Sequence, residues 1–547
     1  MSSLRRVAIS TVQHATRVLP GEYAAWADAM LSEVRHIDDD RAALRWAMGC
    51  VITCYTQRFL RMRLMLRPAG ASFALMLALV VALEAHAAFV PAFAETTCAL
   101  PDMSSDVAAR LRCGTVNVPR DYADANAGTF KLAVVVIHPR VMEPQADPVL
   151  FLQGGPGSPL TLHAARIARN ESATLAPSRD LILVDQRGAG RSEPAMCLDL
   201  SRQQLGVFAH EANHDALVAA WRGTYSDCRR ELARGGIDPA WFGTSVTVRD
   251  MEVVRRALGV ARWNVYGRSY GTEVAMTLEA RHPNSLRAVV LDSVYPPDPL
   301  PLTRSQTYNA ALQALFRACR ADASCAAAHP DLAATFREAM AGLVKAPMTI
   351  ALPPGSGSSQ VVLSPTLFSV SVDRALYYRP LVAMLPKVIQ SVHDRDAISL
   401  QPFIAFLTRE YVGMESPGDA AVVECRDRPS LQDAPADPSV ADGRDIFFGG
   451  MCRDWIAPGE PGSIASETKV PTLLLAGEID PVTPPPFARM VAAKLGARAH
   501  VVEFPHVAHN VEGSTPCGAK LVTKFMRDPE AAIDTVCIAE VRPVAFR

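Results

Sequence analysis

The sequence predicts an α/β fold: a mostly parallel central sheet with helices on both faces, interrupted by one helical lid insertion. Three observations predict it. Short apolar, β-branched runs recur between Lys131 and Asp292 without polar alternation, the pattern of strands buried on both faces. Helical periodicity fills several gaps between them, as crossovers between parallel strands require. The strand rhythm stops from about residue 300 to 468 and returns at Val470.

Composition agrees with a large core. The 547 residues are 49% hydrophobic and 20% charged, which excludes wholesale disorder. The 55 Lys+Arg balance 56 Asp+Glu, so the basic excess of a nucleic-acid binder is absent. No apolar run reaches the roughly 18 residues of a membrane span, which excludes a multi-pass membrane protein.

Residues 1–57 read as a short helical extension with two helices, Glu22–His36 and Arg41–Cys54; Asp38, Asp39 and Asp40 before the second suit a helix N-terminus. Residues 58–94 read as a signal peptide or an uncleaved anchor. Arg58, Arg61, Arg63 and Arg67 precede the apolar run Ala71–Leu83, and Ala92-Phe93-Ala94 supplies a small-residue cleavage site before Glu95. The expected address is therefore export, to the periplasm or medium, with no other membrane association. Met62 or Met65 would place that signal at an ordinary chain start.

Residues 95–299 form the first part of the core. Its expected strands are Lys131–His138, Pro148–Gln153, Leu181–Asp185, Trp263–Tyr266 and Ala288–Asp292, with helices at Val248–Leu258 and Glu273–His282. Residues 300–468 read as a mainly helical insertion covering one end of the sheet, the alternative being an independent domain in series. Its helical patterns are Thr307–Arg320, Leu332–Val344, Leu381–Asp394 and Ile398–Tyr411, broken by turns such as Pro353–Gly357. Residues 469–547 return to the core with strands Thr472–Ala476 and Ala499–Phe504.

Cys50 and Cys54 precede the signal, leaving ten of the 12 cysteines downstream. An even number in an exported chain suggests disulfides. Taken in order they fall into neighbours: Cys98–Cys113, Cys197–Cys228, Cys319–Cys325, Cys425–Cys452 and Cys517–Cys537. No C-x-x-C or H-E-x-x-H spacing occurs, so no metal is expected.

The chemistry falls on turns after strands. Gly267-Arg268-Ser269-Tyr270-Gly271 joins a strand to a helix pattern in the G-x-S-x-G arrangement, whose glycines permit a turn tight enough to project the serine. That makes Ser269 the candidate nucleophile. A serine hydroxyl needs a base to take its proton and an acid to orient the base. Asp480, just past a strand end, is the candidate acid, with Asp292 the alternative; Glu478 sits closer to its strand. His506 and His509 follow the next strand, and either could be the base. Gln153-Gly154-Gly155-Pro156-Gly157 follows another, so the amide of Gly154, with that of Tyr270, can form an oxyanion hole. A phosphate loop is excluded by spacing and by Pro156, which lacks an N–H.

These residues carry a resemblance. Cys113–Tyr122 (CGTVNVPRDY), Leu152–Pro159 (LQGGPGSP), Asp185–Ser192 (DQRGAGRS), Gly267–Gly271, Gly477–Pro484 (GEIDPVTP), His509 and Cys517 followed by Cys537 resemble the secreted α/β-hydrolase serine peptidases, the tripeptidyl-aminopeptidase-like relatives of proline iminopeptidases with their TAP-like C-terminal region. Cys425 and Cys452-Arg453-Asp454-Trp455 match that family's cysteine landmarks. The resemblance spans nearly all of residues 95–547. It implies an α/β-hydrolase fold with a helical lid, and an aminopeptidase releasing tripeptides, dipeptides or single residues from free N-termini. It selects His509 as base beside Ser269 and Asp480, with Gly154 and Tyr270 as oxyanion donors.

Asp427 stands where the family tends to have an acidic residue, and with its neighbour Glu424 would hold the substrate ammonium. Two positions depart: Ala508-His509-Asn510 replaces Gly-His-Gly, and Arg268 replaces a glycine. A cation at 268 would favour an acidic substrate group unless it is spent in a salt bridge. The expected partner is a peptide with a free N-terminus, without nucleic acid, and no cofactor is needed. An esterase of the same fold and a non-catalytic exported binding protein are the alternatives.

Overall fold

Nine strands form one sheet in the computed structural model, which describes residues 3–17, 19, 24–37, 39–62, 91–124, 126–141, 144–413, 416–432 and 451–546. They are β1 (Phe93–Thr96), β2 (Leu111–Pro119), β3 (Thr129–Ile137), β4 (Val149–Leu152), β5 (Leu181–Val184), β6 (Trp263–Arg268), β7 (Leu286–Asp292), β10 (Thr472–Gly477) and β11 (Ala499–Phe504). The order is β1-β2-β3-β5-β4-β6-β7-β10-β11. The first three pairings are antiparallel and the rest parallel.

The continuous apolar runs have a plain cause. Along β4 and β6, Leu150, Leu152 and Val265 face one apolar core, while Val149, Phe151 and Tyr266 face the other. Side chains do alternate, but both faces are dry.

Residues 90–547 form one compact unit, with 300–468 inside it. Residues 1–89 form another, and its described part holds three helices rather than two: Ser3–Thr16, Ala24–His36 and Asp40–Met62. Ala8, Val12, Val34, Ala43 and Ala47 make its small core. The last helix runs past Cys54 because no Gly or Pro interrupts the sequence there, so the expected boundary at residue 57 falls inside it. The apolar run Ala71–Leu83 lies outside the described residues. The expected cleavage point after Ala94 falls within β1, where Ala94 pairs with Thr115. Among the described residues no helix is long and apolar enough to cross a membrane.

Three further expectations are corrected. The expected strands begin at Lys131, yet Cys113–Pro119 already lies in β2, where Val116 and Val118 are buried and Arg112 and Asn117 exposed. The insertion is not purely helical. β8 (Met348–Ala351) and β9 (Gln360–Leu363) form an antiparallel hairpin around the turn at Pro353–Gly357. The expected helix Leu381–Asp394 is two, Arg379–Val382 and Leu385–His393, because Pro386 suits only a first turn.

The cap over the sheet also draws on a second stretch. Helices Leu200–His210 and His214–Arg234, between β5 and β6, join it: the His214 ring lies 3.1 Å from Thr366 Oγ1, and the rings of Tyr225 and Trp455 are 5.8 Å apart. Five disulfides link the neighbouring cysteines, while Cys50 and Cys54 are free.

Candidate active site

β6 ends at Arg268 and the helix Tyr270–Arg281 begins two residues later, leaving Ser269 alone in the turn at φ 57°. Positive φ costs a non-glycine residue about 1–3 kcal/mol, so the surroundings must impose it. They do so by close packing. A Cβ on Gly271 would stand 2.0 Å from the Leu152 carbonyl oxygen, and one on Gly267 would stand 2.6 Å from that of Gly271. The Ser269 amide donates to the Asp292 carbonyl at 3.0 Å, tying the turn to β7.

Asp480 follows β10 and is buried. Its Oδ1 accepts the amides of Val482 and Thr483, both at 2.9 Å; its Oδ2 accepts the Thr483 hydroxyl and lies 2.8 Å from His509 Nδ1. Burial alone would raise the carboxyl. The imidazole and the Thr483 donors outweigh it and hold Asp480 below the usual carboxylate range. Tyr377 of the cap packs on the imidazole, ring centres 4.8 Å apart.

Ser269 and His509 line one cavity of about 1070 Å³, together with Gly154 and Glu424. Among the described residues no direct hydrogen bond joins Ser269 Oγ to the imidazole, a contact that often tightens only when substrate is bound. Gly154 touches the nucleophile: a Cβ there would stand 2.5 Å from Ser269 Cβ. The Tyr270 amide opens the helix directly after it.

The alternative residues are engaged elsewhere. Glu478 Oε2 accepts the His506 amide at 3.0 Å, so those two pair with each other. Asp292 accepts the amides of Val511 and Glu512, both at 2.9 Å, and the Tyr266 hydroxyl at 2.8 Å. It braces the histidine loop rather than the imidazole.

Arg268 is spent in a salt bridge. Its guanidinium lies 3.2 Å from Glu512 and 3.4 Å from Glu171, and donates to the Tyr266 hydroxyl. Burial pushes Glu512 up to about 7, against the pull of Arg268. Sequence reading did not single out Glu512, since its partner lies 244 positions away.

The two acids expected to hold an ammonium separate. Glu424 lines the cavity, with Oε2 3.2 Å from Arg428 Nε. Asp427 does not line it. Its Oδ2 accepts the amide and hydroxyl of Thr244, at 2.8 and 2.7 Å, capping the helix Thr244–Ala257. The Asp185–Ser192 segment supports the frame: Asp185 accepts the amides of Thr161 and Arg191, and Arg187 pairs with buried Asp250.

Two segments of the chain match known protein families. Residues 147–345 match the alpha/beta hydrolase fold, and residues 423–537 match TAP-like protein. A tripeptidyl aminopeptidase of Streptomyces lividans is 31% identical over 195 residues, 34% of this chain and 36% of the relative. The match thus spans about a third of that curated relative's length. Serine protease Hip1 of Mycobacterium bovis is 23% identical over 458 residues, 76% of this chain and 84% of the relative. The solved proline iminopeptidase of Mycobacterium smegmatis has 16% identity, a TM-score of 0.35, and coverage of 77% of this chain and 100% of its own. Residues 147–345 thus carry the α/β-hydrolase fold, and residues 423–537 are similar to the TAP-like region.

Proposed function

We propose that the protein is an exported serine hydrolase, an aminopeptidase that releases short peptides or single residues from free N-termini. The observation that carries this reading is the Asp480–His509 pair at 2.8 Å on the cavity that also holds Ser269 in its strand-to-helix turn. The tripeptidyl aminopeptidase and serine protease relatives favour a peptide over an ester substrate. Five disulfides support an oxidising, extracytoplasmic setting.

In this mechanism His509 takes the Ser269 proton as Oγ attacks the scissile carbonyl. Asp480 fixes the imidazole tautomer and stabilises the imidazolium. The amides of Gly154 and Tyr270 receive the oxyanion. His509 then protonates the leaving amine, and the acyl-enzyme is released by a water that gives its proton to the same imidazole. Glu424, on the cavity wall, receives the substrate ammonium; Asp427 acts from behind, holding the helix at Thr244.

The test compares three substrates: a tripeptidyl anilide, its N-acetyl form and a p-nitrophenyl ester. Turnover of the first that is abolished by acetylation and by Ser269→Ala supports the aminopeptidase. Turnover of the ester alone would make the protein an esterase. No labelling of Ser269 by a fluorophosphonate would make it a binding protein.

A further inference from the structure

One wall of the cavity is built of cations from the cap and from the chain beyond Cys537. Arg374 lies in the last turn of the helix Pro365–Leu376, Arg379 opens the next helix, and Arg542 follows Cys537 by five residues. Three other arginines at the cavity are committed to carboxylates. Arg166 lies 2.6 Å from Glu171, Arg304 2.9 Å from Asp373, and Arg268 3.2 Å from Glu512.

Arg379 and Arg542 differ. Arg379 Nη2 donates to the main-chain carbonyls of Arg542 and Pro543, at 2.6 and 3.2 Å, which are neutral acceptors. Its Nε is buried and has no hydrogen-bond partner among the described residues. Arg542 is exposed at the cavity and has no ion-pair partner among the described residues. Arg374 brings a third guanidinium, 5.0 Å from the centre of the Tyr377 ring, which itself packs 4.8 Å from the His509 imidazole. The cationic wall thus begins one ring's breadth from the base.

A buried guanidinium N–H without a partner costs about 1–3 kcal/mol. Exposed Arg542 can answer a carboxylate with the two parallel hydrogen bonds of its planar fork, while Arg379 adds its charge. The geometry points to a subsite for a substrate carboxylate, formed by Arg379 and Arg542. The inference rests on the peptidase reading, and it narrows the substrate class to short peptides bearing an anionic group away from the ammonium held at Glu424. That anion is either the peptide's own C-terminal carboxylate or an acidic side chain.

Calorimetric binding to the full-length Ser269→Ala protein tests this without turnover. The ligands are trialanine, trialanine amide, and the same amide with glutamate in place of one alanine. A free C-terminus binding about tenfold tighter than the amide assigns the subsite to the C-terminal carboxylate; glutamate raising the amide's affinity by as much assigns it to a side chain. Either advantage must vanish on adding Arg379→Gln or Arg542→Gln. Arg379→Gln releases two tail carbonyls and can loosen the wall, so the exposed Arg542→Gln is read independently. The proposal is overturned if neither carboxylate raises affinity, including the case where no peptide binds, or if the advantage survives both substitutions. Absence of fluorophosphonate labelling of the unmodified protein would instead sink the hydrolase reading and leave the binding result standing.

Discussion

The carboxylate of Asp292 accepts the main-chain N–H of Val511 at 2.9 Å, two residues beyond His509, while its own carbonyl accepts the N–H of Ser269 at 3.0 Å. One residue at the end of β7 therefore holds both the nucleophile's turn and the histidine's loop. Asp292→Asn keeps the carbonyl contact but turns an NH₂ toward one of the donors it now serves. We expect kcat to fall about 10- to 100-fold with KM little changed, since a small misplacement of a catalytic group has that effect. An Asp292→Asn protein with wild-type kcat would show that the loop holds itself.

Asp480→Asn should cost far more, about 10⁴-fold in kcat, because the imidazole loses the partner that fixes its tautomer. His509→Gln should be similarly severe. His506→Gln and Glu478→Gln should keep near-normal turnover, since those residues pair with each other. Single-turnover rates on an anilide substrate would check all four, and a His506→Gln collapse would overturn the assignment of the base.

Gly154→Ala sets a methyl 2.5 Å from Ser269 Cβ and 2.9 Å from its Oγ. Either the turn shifts or the Gly154 amide withdraws, and both remove oxyanion stabilisation. The expected loss is about 10²–10³ in kcat with full thermal stability. Loss of fluorophosphonate labelling together with an unchanged melting curve is the signature to look for.

Glu279 offers a stability test away from the site. Burial raises its carboxyl to about 7, although the hydroxyls of Thr468 and Thr472 both donate to Oε1. In the unfolded chain the value returns to about 4.3. The folded value is the higher, so this group's contribution is complete below pH ~4.3 and is lost as pH rises through about 7. Glu279→Gln keeps an oxygen for both hydroxyls and cannot ionise. Between roughly pH 5 and roughly pH 8, melting temperatures should therefore fall less for the variant than for the wild type. Parallel profiles would mean that the carboxyl stays ionised in the fold.

Much of this was legible before the structure. Strands β4 to β7 and β10 were readable because burial on both faces writes a nearly unbroken apolar run, and β11 because Val501, Val502 and Phe504 still cluster although His500 and Glu503 are not buried. Ser269, Asp480 and His509 were nominated as candidates because each follows a strand end, but the turns alone left His506 and Asp292 open, and the resemblance made the choice. β8 escaped because only Met348 and Ile350 are buried in it, too short an alternation to stand out. The helices at 200–234 escaped because their charged outer faces hide the apolar positions that meet the cap, such as Trp221 and Tyr225. That Glu424 lines the cavity while Asp427 turns to Thr244, 183 positions before it, is invisible in sequence, since the two acids stand three residues apart on one helix. Arg268 was legible as an anomaly, but its partner Glu512 could be found only through the fold.

The grip of Arg379 on the carbonyls of Arg542 and Pro543 has a practical side. Those residues border the chamber, so an affinity handle joined just after Ala545 would hang at its mouth. Kinetic constants measured on such a fusion would mix ligand preference with competition from the handle itself, and an acidic epitope would be the worst choice beside so many guanidinium groups.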